Sequence, residues 1–148
     1  MRGRRARQER GAAFAEFVLV LPFFLLLIFG MISYGAMFSF RQTMSQAAAE
    51  GARAAAVAPA NLTYAERRDR AIEAINEAFA GEIGGGVSCG SGLTCSIPAV
   101  PTSCGSSAEC MSVTVQYAYA DNPRVPVPQF FSFTLPDQLE YTASARIK

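Results

Sequence analysis

From Phe17 to Phe40 the chain runs through 24 residues without a formal charge, and the run is too apolar on every side to read as a one-sided surface helix. At ~1.5 Å rise per residue, a helix of that length covers ~36 Å, enough for a hydrocarbon core of ~30 Å with some tilt. A chain of 148 residues cannot easily surround such a helix with its own protein. The pattern predicts a membrane-spanning first helix. Pro22 cannot donate to the Val18 carbonyl, so a bend or loosened turn is expected there, which membrane helices tolerate.

Beyond Phe40 the pattern changes to mixed polar and apolar positions. Arg41-Gln42-Thr43-Met44-Ser45-Gln46 forms a polar collar, and Ala47 to Ala58 is rich in the best helix former, so the helix is expected to continue as a stalk. Glu50 and Arg53 stand three apart, close enough to pair. The small residues of this stretch suit close helix approach, which reads either as a plain stalk or as a surface for packing against other subunits. Pro59-Ala60-Asn61 ends the helix. Thr63 and Glu66 then have the spacing of a capping box. Ala71, Ile72, Ile75, Ala78 and Phe79 make an apolar stripe, with the charges from Arg67 to Glu77 as a solvated face and Gly81 placed to cap the C-terminus.

Gly84-Gly85-Gly86 opens a Gly/Ser/Cys-rich loop. It lacks the preceding strand and following Lys-Ser/Thr of a phosphate cradle. Val113, Val115, Tyr117 and Tyr119 alternate as in a strand, and so do Leu139, Tyr141, Ala143, Ala145 and Ile147. Pro123, Pro126 and Pro128 mark a turn or edge segment, and Phe130 to Thr134 reads as a short strand. Short connections favour an antiparallel sheet. The fold class expected is α+β: a long helix, an amphipathic helix and a small antiparallel sheet.

Charge adds a direction. Arg2, Arg4, Arg5, Arg7 and Arg10 against Glu9 give the first ten residues a net charge of +4, and the remainder carries −3. Positive charge ahead of an apolar segment holds that end in the cytoplasm, so the asymmetry concerns topology and not nucleic acid. Glu16, at the edge of the apolar run, is costly there unless it reaches interfacial water or a positive partner.

Gly11-Ala12-Ala13-Phe14-Ala15-Glu16-Phe17 behind the basic leader resembles the processing site of type IV prepilins, most closely the Flp/Tad branch. That branch usually has Tyr after the Glu, where this chain has Phe17. Glu16 to Pro22 followed by the apolar stretch, and Gln46-Ala47-Ala48-Ala49-Glu50-Gly51-Ala52-Arg53-Ala54 after it, resemble the TadE/TadG-like pseudopilin family, and the tail ending in Ser144-Ala145-Arg146 is in keeping. The resemblance implies a pilin-like fold and a prepilin peptidase that cuts after Gly11, so that Ala12 becomes the N-terminus and Glu16 the fifth mature residue. Glu16 and Phe17 would then serve assembly. The implied partners are other pilin-like subunits, the peptidase, the inner-membrane pilus assembly platform and the membrane itself.

Cys89, Cys95, Cys104 and Cys110 all lie beyond the apolar run, on the oxidising side if the arginines are cytoplasmic, and a pair of disulfides is expected. Their intervals and the absence of histidine do not suit structural zinc. Short-loop closure favours Cys89–Cys95 with Cys104–Cys110, and a cross-link between the two halves stays open.

No histidine means no Ser-His or Cys-His dyad. Ser103, Ser106 and Ser107 have no evident base, and Glu66, Glu73 and Glu77 read as solvated. No enzyme, cofactor, metal or small-molecule substrate is expected. The expected organisation is a basic cytoplasmic leader over 1–11, a transmembrane helix and Ala-rich stalk over 12–58, and a small extracytoplasmic α+β domain over 59–148. That describes a single-pass protein of the bacterial inner membrane, with its C-terminal domain in the periplasm, serving assembly of a Tad-type adhesion pilus or entering the extracellular filament. The alternative is a secreted or envelope-anchored binding domain with residues 1–35 as signal or anchor, since Ser33-Tyr34-Gly35 offers small residues two apart.

Overall fold

A computed structural model describes residues 3–81, 86–105, 108–124 and 136–147, with side chains from residue 13 onward. Helix α1 (Gly3–Val57) continues across Pro22, and α2 (Tyr64–Phe79) follows it. The strands are β1 (Ser88–Cys89), β2 (Gly92–Ser96), β3 (Thr102–Ser103), β4 (Glu109–Tyr117) and β5 (Leu139–Arg146). The chain forms two compact units, Met1–Gly35 and Ala36–Lys148. The expected strand at Phe130–Thr134, with Pro126 and Pro128, lies outside the described residues, as do Gly84, Gly85, Ser106 and Ser107.

In the first unit, α1 is largely apolar from residue 13 onward and faces mostly outward. Phe14, Leu19 and Phe23 are 67–69% exposed, and none of the most apolar window is buried. The helix is long and apolar enough to cross a membrane. Its side chains are unsuited to water on any face, which is the arrangement a bilayer satisfies.

In the second unit the same helix becomes one-sided. Met37, Phe40, Met44, Ala47, Ala48, Ala52 and Ala55 are buried, whereas Gln42, Ser45, Gln46, Glu50 and Arg53 face out. The buried set recurs at three- and four-residue intervals, so it forms one face. Ala71, Ile75 and Phe79 of α2 and Leu93, Met111, Val113, Val115 and Tyr117 of the sheet complete the core.

β4 is the centre of the sheet. β5 runs antiparallel along one edge of it, from Cys110↔Arg146 to Tyr117↔Leu139. β2 and β3, both antiparallel to β4, share the other edge. The expectation of an antiparallel sheet holds for these ladders, with one correction: β1 adds to β2 in parallel, so the sheet is mixed. The reversal that makes this possible is only a few residues long. Gly90 and Gly92 adopt positive φ there, and a Cβ on Gly92 would come within 2.9 Å of Val87. On the outer face of β4, Thr114 pairs with Thr142 at 2.8 Å and Gln116 donates to Glu140 at 3.0 Å, while Met111, Val113, Val115 and Tyr117 point inward. This is the period-2 alternation read from the sequence.

α2 begins with the capping box expected at Thr63 and Glu66: the Glu66 amide donates to the Thr63 hydroxyl and the Thr63 amide to the Glu66 carboxylate. Its end differs from expectation. Gly81 is not left-handed. Ala80 caps the helix in right-handed conformation, its N–H donating to the Glu77 carbonyl, so one tight turn does the work a left-handed glycine would do.

Candidate functional site

The residues marked for processing and assembly lie on one helix. Gly11, Ala12, Glu16 and Phe17 all fall within α1, and Ala12 and Glu16 stand four apart, one turn along the same face. Glu16 is exposed and Phe17 is 60% exposed. Around them Phe14, Val18 and Leu19 are exposed as well. Glu16 is the one charged residue between 13 and 40, and a carboxylate on a mostly apolar surface suits a positive partner on a neighbouring helix or the membrane interface.

The small residues after the apolar run have a different use from an intermolecular one. Ala47, Ala48, Gly51, Ala52 and Ala55 are buried within the chain's own second unit. A Cβ on Gly51 would lie 2.8 Å from Ile75 Cγ1 and 3.2 Å from the Ala71 carbonyl oxygen, so α2 approaches α1 there as closely as a glycine allows. The stretch is a packing surface, but the helix it receives is the chain's own α2. Glu50 and Arg53 stay on the solvent side, and the pairing their spacing permits is not formed among the described residues.

Arg67 is half-buried where the helix pair joins, not spread on a solvated face. Its guanidinium donates to the carbonyls of Ala55 and Pro59 at 3.0 Å each, and Nε donates to Leu62 at 3.4 Å. The last carbonyls of a helix have no partner within it, and a cation suits that negative end. Arg67 thereby ties the end of α1 to the start of α2. Sequence reasoning missed this because the carbonyls lie 5 to 12 residues away across a turn. The available signal was Pro59, which stops α1 and leaves its carbonyls to be satisfied by a side chain.

The four cysteines form Cys89–Cys95 and Cys104–Cys110, with Cα separations of 5.4 and 5.8 Å. The first closes the β1–β2 turn. The Cys89 amide also donates to Asn76 of α2 at 2.8 Å, which fixes that turn against the helix. The second joins the residue after β3 to β4.

The described surface offers grooves and little convergent chemistry. The groove between the end of α1 and α2 has a volume of about 410 Å³ and is lined by residues that include Val57, Pro59, Arg70, Glu73 and Glu77. Arg70 and Glu73 meet at 3.7 Å with both side chains nearly two-thirds exposed, a pair worth little in water. Glu66 is held by its cap, and no group of acidic or cysteine side chains among the described residues is arranged to hold a metal. Ser103 lies on exposed strand β3.

Residues 11–53 match the family model described as TadE-like protein. The match begins at Gly11 and ends within the Ala-rich part of α1, covering less than a third of the chain. That family is a structural, pilus-related one, and the match points to involvement in a Tad pilus system. No curated protein and no solved structure matches the chain.

Proposed function

We propose that the chain is a pseudopilin or minor pilin that serves assembly of a Tad/Flp-type adhesion pilus. It is cut after Gly11 by a prepilin peptidase, held by α1 in the bacterial inner membrane with its second unit in the periplasm, and packed there against other pilin-like subunits and the assembly platform. The observation that carries this reading is the family match that starts at Gly11, on a helix that bears Glu16 in an otherwise apolar, outward-facing surface. After cleavage the Ala12 amine would be positively charged near neutral pH, with a pKa of ~7.7–8.0 in a free chain. Pairing of that amine with Glu16 of a neighbouring subunit would offset the cost of a carboxylate among packed membrane helices.

Intact mass of the protein extracted from native membranes tests the processing step. The expected product begins at Ala12, and Gly11→Phe should accumulate as full-length precursor. Normal trimming of that variant would remove the glycine-directed peptidase from the account. Glu16→Gln tests assembly: insertion and disulfides should be unchanged while cross-linking between subunits falls. Equal cross-linking at equal abundance would leave Glu16 with an interfacial role only.

A second reading has one observation in its favour. The second compact unit begins at Ala36, directly after Ser33-Tyr34-Gly35. Cleavage there would release a disulfide-bonded envelope domain with its core intact. The same mass measurement decides, since that product begins near Ala36.

A further inference from the structure

Along α1 from Ser39 to Val57, the inner and outer faces have different surroundings. The inner face seats Phe40 in an aromatic cluster with Phe79, Tyr117 and Tyr119, and it carries the alanines on which α2 packs. On the outer face Ser39, Gln42, Gln46, Glu50, Arg53 and Val57 recur at three- and four-residue intervals, so they form one seam, and all are exposed. Val57 is 73% exposed, a large apolar side chain left in the open at the end of that seam.

The seam differs from the other exposed helix face of the second unit. On α2 every exposed residue except Ala65 is charged, and acids predominate: Glu66, Asp69, Glu73 and Glu77 against Arg70. Such a face suits water and repels its own copy. The seam on α1 bears one acid and one base, Glu50 and Arg53, which form no ion pair among the described residues. Gln46 stands between them. At about 100° per residue, Glu50 is turned about 40° to one side of Gln46 and Arg53 about 20° to the other. When the seams of two parallel copies meet at Gln46, Glu50 of each therefore faces Arg53 of the other. The offset along the axis is about 4.5 Å, which two long side chains span. The Gln46 amides, each both donor and acceptor, pair with one another, and Val57 meets its own copy out of water. The seam is complementary to itself.

We propose that this face of α1, from Ser39 to Val57, is a contact between two copies of the chain, with Glu50 of each paired to Arg53 of the other. The proposal rests on the subunit packing of the reading above, and on neither cleavage after Gly11 nor a filament. It adds the partner, a second copy, and the surface that receives it. Chains held in one membrane are already close, so a weak but selective seam is enough to set their register.

The test uses the full chain in native membranes, with a photoreactive diazirine amino acid at the exposed Ala49 beside the seam and the products identified by mass. The otherwise native sequence should give a product of twice the mass of the single chain. Glu50→Arg alone and Arg53→Glu alone should each lower it about fivefold, since both reciprocal pairs are lost. Glu50→Arg/Arg53→Glu should restore it, and so should co-expression of the two single variants, whose seams attract each other. Restoration separates pairing from folding, because the double variant carries both substitutions. A product unchanged by the single reversals, or one that the exchange does not restore, overturns the proposal, and so does capture of a different protein in place of a second copy. The same probe at Val18 follows packing of the first unit. Products from Val18 with none from Ala49 would overturn this contact and leave the subunit reading standing, whereas none from either would remove both.

Discussion

Between Phe14 and Tyr34, α1 turns its phenylalanines, leucines and isoleucines mostly outward, whereas from Met37 to Ala55 the same helix turns most of its apolar side chains, Phe38 apart, inward against α2 and the sheet. Helix propensity does not separate the two regions. They differ in the surroundings that the side chains select. Exposed polar residues occupy only part of the second stretch, at Ser39, Gln42, Ser45, Gln46, Glu50 and Arg53, so a wet face and a dry face both exist there. The first stretch has no polar face, and only lipid or other helices can cover it. Burial by folding and burial by solvent choice follow the same hydrophobic rule with opposite geometry.

The comparison can be broken from either side. Phe40→Ala removes the ring at the centre of the aromatic cluster and should destabilise the second unit by ~3–5 kcal/mol. Denaturant titration in detergent, followed by near-ultraviolet circular dichroism, would measure this, and flotation with vesicles should be unchanged. Leu27→Arg should do the reverse. A charge at the middle of the run costs ~2.5–3.5 kcal/mol of insertion. Flotation should fall sharply, while the second unit keeps its disulfides and its near-ultraviolet signal.

Two smaller effects sharpen the account of the second unit. Arg67→Ala removes the guanidinium from the carbonyls of Ala55, Pro59 and Leu62, with Pro59 keeping only the Leu62 amide, and should cost ~1.5–3 kcal/mol. Arg67→Lys should recover only part, because one ammonium cannot reproduce the fork. Thr63→Ala should cost about 1 kcal/mol through the lost cap. The capping box also titrates. Hydrogen bonds from the Thr63 backbone, then its side chain, hold the Glu66 carboxyl below its ordinary value of 4.5. A lowered folded pKa gives a stabilising contribution that is complete above 4.5 and is lost as pH falls through the folded value. The melting temperatures of the native chain and Glu66→Gln should therefore differ at pH 7 and converge on acidification.

Local pattern made much of this legible. The 24-residue uncharged run predicts the helix through Phe40, the Thr63–Glu66 spacing predicts the start of α2, and two alternating segments predict β4 and β5. Each depends on residues within a turn or two of one another, so composition and spacing carry the information. Gly11 and Glu16 stand in a short ordered motif, and the family match begins at the first of them.

The remainder depended on which distant segments meet. β1, β2 and β3 read as loop because two to five residues hold no period, and they become strands only by pairing with β4 or with each other. Cysteine spacing leaves the disulfide pairing open. The turn around Gly90 and Gly92 brings Cys89 to Cys95. Arg67 looks like any surface cation until the end of α1 lies beside it. The alanines of α1 read from the sequence as a plain stalk or as a surface for other subunits, and the approach of Ile75 to Gly51 shows the chain's own α2 packed on them. Propensity and periodicity are properties of neighbours along the chain, whereas the partner of a buried face is fixed only when long-range packing chooses among surfaces of similar apolarity.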